Sequence, residues 1–138
     1  DFGMEFEATD DGIRYLGLSL FHTANGAYTG NILATEQTKR EMIGRYLPLS
    51  LLDDVRDSII TMLDLGAYRG PFGIDMMVVK DSGAKSQVPS LLHPCVEMNL
   101  RRTMGHVALA ISPQNDDIVK VMRVIYEKDN YKLRIQRL

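Results

Sequence analysis

The chain has one cysteine, Cys95, in 138 residues, so it cannot close an intrachain disulfide. No Cys/His spacing matches a zinc site. Charge of either sign is not in excess: 16 Lys and Arg stand against 18 Asp and Glu, a net −2 with a pI near 5.9. A balance of that kind supplies no general pull on nucleic acid or anionic lipid. Long apolar runs are missing too; Met76-Met77-Val78-Val79 is typical, far short of the ~20 residues that span a bilayer. There is no basic, signal-like leader, which leads us to expect a cytoplasmic protein. The opening Asp1-Phe2-Gly3 lacks an initiator Met, so the chain reads as a piece of something longer. No internal repeat, low-complexity tract or linker divides it, so residues 1–138 are read as one domain.

What is present is globular in composition, with 45% hydrophobic and 25% charged residues. Phe2, Met4, Phe6 and Ala8 alternate with Glu5 and Glu7, and Asp10-Asp11-Gly12 supplies a turn, so the chain opens as a β-hairpin. Its second strand runs from Ile13 to about Phe21 with Leu16, Leu18 and Leu20 on one face. The stretch Asn25–Asn31 is rich in small and turn-forming residues and reads as a loop. A short charged helix is predicted from Thr35 to Tyr46. A second follows from Pro48 to Leu65, with Leu52, Val55, Ile59 and Leu63 at helical spacing and Gly66 as its C-terminal cap.

Phe72–Lys80 and Leu91–Leu100 read as paired strands, joined by the polar, mobile-looking connection Asp81–Gln87. Thr103 is an N-cap for a short helix through Ile111, stopped by Pro113. The segments Val119–Glu127 and Tyr131–Gln136 form a closing hairpin around Lys128-Asp129-Asn130, although Ile118–Ile125 also fits a helix. The expected class is α+β, an antiparallel sheet with packed helices.

The chemistry concentrates in Gly70–Met77 and Cys95–Arg101. Side chains two apart on a strand share a face, so Glu97 and Asn99 point the same way. With Asp75 opposite Glu97 in an antiparallel pair, Phe72, Ile74, Met76 and Val78 share an apolar face with Val96, Met98 and Leu100. Asp75, Glu97 and Asn99 then gather on the other face, beside Gly73, His93 and Cys95. A slip of one residue would mix acidic groups into the apolar set, so the pattern itself argues for this register. Two close carboxylates repel unless a cation neutralises them or one takes up a proton. Hard oxygen donors without imidazole or thiolate suit Mg²⁺, which keeps waters and binds substrate phosphates. Arg101, Arg102 and the start of the Thr103 helix add anion-binding groups. The plainer alternative is an acidic strand face that is merely solvated.

Gly73-Ile74-Asp75 followed by Glu97-Met98-Asn99-Leu100-Arg101 resembles the C-terminal half of the ATP-grasp fold, over roughly Phe2 to Ile111. The entry Tyr68–Gly73 is also similar. The resemblance implies that Asp75 and Glu97 bind metal, Glu97 bridging two Mg²⁺ ions, that Asn99 completes the shell, and that Arg101, with Arg102 beside it, contacts the transferred phosphate of ATP or an acyl phosphate. It implies an ATP-dependent ligase that activates a small carboxylate and hands it to an amine or thiol. Leu100 departs from the proline of many members, and the connection between the strands is long. The upstream nucleotide-binding half is absent from this sequence, so the piece alone is expected to be inactive. A non-catalytic interaction module with an exposed acidic strand face is the alternative from another class. Strand edges left by the missing half favour self-association.

Several features tempt other readings. Asp1-Phe2-Gly3 is the kinase magnesium motif by letter, but no catalytic-loop signature or Gly-rich strand accompanies it. Cys95 near His93 reads as a half-buried thiol rather than a nucleophile. His106 sits in a helix's first turn, where cap contacts account for it. The stretch His22–Asn31 is either a flap over the intermediate or an ordinary surface loop. The basic end, Lys128, Lys132, Arg134 and Arg137, reads as a solvated face.

Overall fold

The alternation Phe2, Met4, Phe6, Ala8 produces strand β1 (Phe2–Thr9), whose apolar side chains are all buried on one face. In the computed structural model, which describes residues 1–80 and 90–138, β1 lies inside a four-stranded antiparallel sheet. Its neighbours are β2 (Gly12–Ser19) and β5 (Gly70–Val79), and β6 (Leu91–Asn99) pairs with β5, giving the order β2-β1-β5-β6. A second antiparallel sheet has the order β3-β4-β7-β8, with β3 (Phe21–Ala24), β4 (Ala27–Leu33), β7 (Lys120–Glu127) and β8 (Asn130–Arg137). Three helices complete the α+β fold: α1 (Glu36–Ile43), α2 (Leu49–Met62) and α3 (Met104–Ile111).

The two faces of the first sheet are covered differently. Helix α2 lays Leu52, Val55 and Ile59 against the main core of Phe2, Met4, Phe6, Phe72, Ile74 and Met76. Helix α3 touches β1, β2 and β4, and a smaller core of Leu33, Ala108 and Met122 joins it to the second sheet. Glu5, Asp75 and Gly73 alternate with the core residues along β1 and β5, so they face the α3 side.

A bulge in β2 corrects the expected leucine stripe. Glu5 pairs with Gly17 and Phe6 with Tyr15, so Leu16 is passed over in the ladder. The extra residue changes which side chains share a face: Leu18 is buried and Leu16 is 38% exposed. Helix α1 meets both main-chain groups of Leu18. Glu36 accepts its N–H at 3.0 and 3.2 Å, and Lys39 Nζ donates to its carbonyl at 2.6 Å. An open strand edge needs such cover, and it explains why Lys39, on a helix that reads as charged, is buried.

Other boundaries shift for local reasons. The expected loop at Asn25–Asn31 is mostly strand, because Asn25 (φ 53°) and Gly26 (φ 78°) make a two-residue turn of type I′ between β3 and β4. Helix α2 ends at Met62 and is capped by Leu63 rather than by Gly66, which sits in a separate turn where its N–H meets Asp64. The ambiguous stretch at Ile118–Ile125 is strand from Lys120, paired with β8 through the turn at Lys128 and Asp129. The expected Asp81–Gln87 connection lies outside the described residues. Among the described residues no helix is long and apolar enough to cross a membrane.

Candidate functional site

The expected register holds at its centre: Asp75 faces Glu97, Ile74 faces Met98 and Gly73 faces Asn99. Beyond Asp75 the ladder is irregular, and Met77 next pairs with His93. That break corrects two expectations. Cys95 is exposed and lines a groove with Met98, Ile74 and α2 residues instead of standing beside the acidic face. Val96, within that irregular stretch, is 49% exposed instead of joining the apolar face; Leu100, also expected there, lies past the end of β6 and is 48% exposed.

The acidic face forms one wall of a pocket of about 310 Å³. Glu5, Asp75, Glu97, Asn99 and Arg101 line it, and the β3–β4 hairpin and the start of α3 close the other sides. Of the residues singled out from sequence, Asp75, Glu97, Asn99 and Arg101 are thus brought together. Arg102 is exposed and outside the lining; its carbonyl accepts from Arg101 at 3.3 Å. Arg101 also donates to Asn99 Oδ1 at 3.1 Å, and Asn99 Nδ2 reaches Asp75 Oδ2 at 3.5 Å. The amide therefore links the guanidinium to the carboxylate.

Burial raises the Asp75 pKa, and the Glu97 charge opposite adds to it, while Arg101 and the Asn99 hydrogen bond pull the other way. The Glu97 charge thus acts on Asp75 in the direction anticipated from the sequence, after burial and against Arg101 and Asn99. Among the described residues no group of three or more His, Cys, Asp or Glu side chains could hold a metal ion. The hard-oxygen set of Asp75, Glu97 and Asn99 fits a cation that keeps waters and shares phosphate oxygens, rather than one enclosed wholly by protein.

The sequence reading missed Glu5. Glu5 alternates with the apolar residues of β1 just as Glu7 does, yet it is 2% exposed because α3 crosses over it. Thr103 Oγ1 donates to Glu5 Oε2 at 2.9 Å. Burial, and more weakly the nearby Asp75, push the Glu5 pKa up to about 7, against the Thr103 hydrogen bond and the charges of Arg101 and Lys39. Space for the carboxylate comes from two glycines: a Cβ on Gly73 or Gly105 would collide with it. These glycines were the available signal, but they point to Glu5 only once the fold brings them to it.

His106 forms a capping box with Thr103, as a first-turn residue is expected to do. It does more than cap, since Nε2 contacts the Phe6 carbonyl at 3.1 Å and Nδ1 lies 3.1 Å from Glu5 Oε2. Across the pocket, Tyr28 donates to Asn31 Oδ1 at 2.6 Å, and Asn31 Nδ2 donates to Ser19 Oγ at 2.7 Å. Asn31 is wholly buried, so the base of the β3–β4 hairpin is fixed to β2.

No family model matches the chain, and no curated protein matches it. Among solved structures, it is similar to a crystal structure of a protein from Archaeoglobus fulgidus whose description places it provisionally in the ATP-grasp superfamily. The similarity covers 99% of this chain and 45% of that one, at 13% identity and a TM-score of 0.46. This chain thus spans less than half the length of that protein.

Proposed function

We propose that the pocket is the metal and phosphate side of an ATP-grasp ligase, and that residues 1–138 are one domain forming the C-terminal part of that fold. The reaction is ATP-dependent activation of a small carboxylate as an acyl phosphate, captured by an amine or thiol. The observation that carries this reading is the placement of Asp75 directly opposite Glu97, with Asn99 and Arg101 on the same pocket wall.

In this reading Asp75, Glu97 and Asn99 would together hold the Mg²⁺ that the reaction requires. Bound there, Mg²⁺ would supply neutralisation of the ATP phosphate charge. Arg101 orients the transferred phosphoryl group, and Asn99 sets the direction of Arg101 through its 3.1 Å bond. Arg102 adds positive charge outside the wall. Helix α3 begins at the same wall, so its N-terminal end favours an anion there.

The test is Asp75→Asn and Glu97→Gln in the full-length protein, followed by ATP turnover with a panel of carboxylic acids and by thermal melting. Both variants should lose turnover and keep the wild-type melt. Full activity in either one sinks the ligase role. An absence of turnover in the wild type, with partner binding sensitive to Glu97, would favour the non-catalytic interaction module.

A further inference from the structure

Strand β8 has a neighbour on one side only: it ends the order β3-β4-β7-β8, and all eight of its residues are exposed. Alternate residues of such an edge turn their main-chain N–H and C=O groups outward, where no strand of the sheet receives them. The ladder to β7 sorts the side chains by face. Met122 is opposite Ile135, Val124 opposite Leu133 and Tyr126 opposite Tyr131, so these share one side of the sheet. Arg123 is opposite Arg134 and Ile125 opposite Lys132 on the other.

The apolar side loses its cover towards the edge. Met122 is buried in the smaller core with Ala108 of α3, but Ile135 and Leu133 are half exposed. Tyr126 and Tyr131 are 61% and 77% exposed, their rings 5.0 Å apart and packed on each other. Cations on an edge strand commonly serve to repel other strands. A row of exposed aliphatic and aromatic groups beside them has no part in that task and marks a contact surface.

The charges select what fits there. Lys132 is answered by Glu127 at 3.3 Å, whereas among the described residues no carboxylate pairs with Arg123 or Arg134. Like charges directly opposite on neighbouring strands are unfavourable, and a carboxylate on the far side of Arg134 offsets that. A second copy does not supply one. Strand β8 holds no Asp or Glu, so laid along itself it sets further cations against Lys132 and Arg134.

We propose that the β8 edge takes up an extended segment of a partner protein, one that alternates acidic with apolar residues, as a fifth strand of the second sheet. The segment's main chain pairs with β8, its apolar side chains lie against Leu133 and Ile135, and a Glu or Asp stands opposite Arg134. The ligase reading plays no part in this, because no residue of β8 lines the Asp75–Glu97 pocket.

The probes are three capped heptapeptides added to the full-length protein: alternating Glu and Val, alternating Lys and Val, and a block peptide with the Glu and Val content of the first. Calorimetry reads affinity and hydrogen exchange reads pairing. The alternating acidic peptide should bind saturably, more weakly as salt rises, and should slow amide exchange along β8. The other two should bind at least about tenfold more weakly. Arg134→Glu should weaken the acidic peptide by about tenfold or more without lowering the thermal melt, since it removes a like-charge pair. Arg45→Glu makes the same charge change at another exposed arginine and should leave binding as it was. If Arg134→Glu does not fold, the three peptides on the wild-type protein decide alone. No binding of the acidic peptide, equal binding of all three, or protection confined to other strands overturns the proposal. So does a β8 already protected in the free full-length protein, or self-association through β8 in place of peptide binding.

Discussion

Glu5 Oε1 lies where the Cβ of Gly105 would be, so a strand of the first sheet and the opening turn of α3 fit only because one of them has no side chain there. The obstacle is a carboxylate already held by Thr103, not the free end of a flexible chain. Gly105→Ala should therefore cost about 1–3 kcal/mol, the usual range for overpacking. Urea denaturation measures it, and a cost below about 0.5 kcal/mol would show that Glu5 moves aside easily.

The raised Glu5 pKa makes stability depend on pH. The folded protein keeps a proton on Glu5 up to about 7, whereas the unfolded chain releases it near 4.5. Between these values the folded state binds more protons, so stability is greatest below 4.5 and falls as pH rises through 7. With the group almost fully buried, the total loss is on the order of 3 kcal/mol. Glu5→Gln should remove this slope. Denaturation at pH 5 and pH 8 checks it, with equal pH dependence in both proteins as the contrary result.

The leucines around the bulge should separate sharply. Leu18→Ala removes a core side chain and should cost about 2–4 kcal/mol, whereas Leu16→Ala should stay within about 1 kcal/mol because the bulge turns Leu16 outward. Similar losses for both would mean that β2 has no bulge.

Replacing Lys39 by Met keeps much of the volume but leaves the Leu18 carbonyl without its donor and Glu36 without its 3.3 Å partner. Unsatisfied buried groups cost about 1–3 kcal/mol, and Lys39→Met should lose stability in that range. The buried amine also has its pKa lowered, by burial first, against the pull of Glu36 and Glu5. A wild-type denaturation midpoint for the variant would exclude the edge-capping role.

Period-2 and helical patterns made most elements legible, and the apolar and acidic residues of β5 and β6 read together gave the centre of their register. Asp75 and Glu97 could be placed opposite each other because a slip would have buried charge. What stayed hidden depended on tertiary cover. Glu5 and Glu7 look alike along β1, but α3 covers one while the other pairs with Arg14 in solvent. Lys39 looked like one more surface cation until an open strand edge gave its amine a partner. The bulge at Leu16 and the break beyond Asp75 left no periodic trace, since each shows only as a change of phase that short strands cannot distinguish from noise.

The His106 ring also has a mechanical role. One nitrogen is tied to the backbone of β1 and the other to the backbone at the start of α3, so the imidazole acts as a rigid strut between them. The spacing between those two walls of the pocket is thereby set by main-chain contacts rather than by flexible side chains. The third wall is held as well: the β3–β4 hairpin, with Thr23, Gly26 and Tyr28 at the rim, is joined to β2 through Asn31 and Ser19 and to β7 through its ladder.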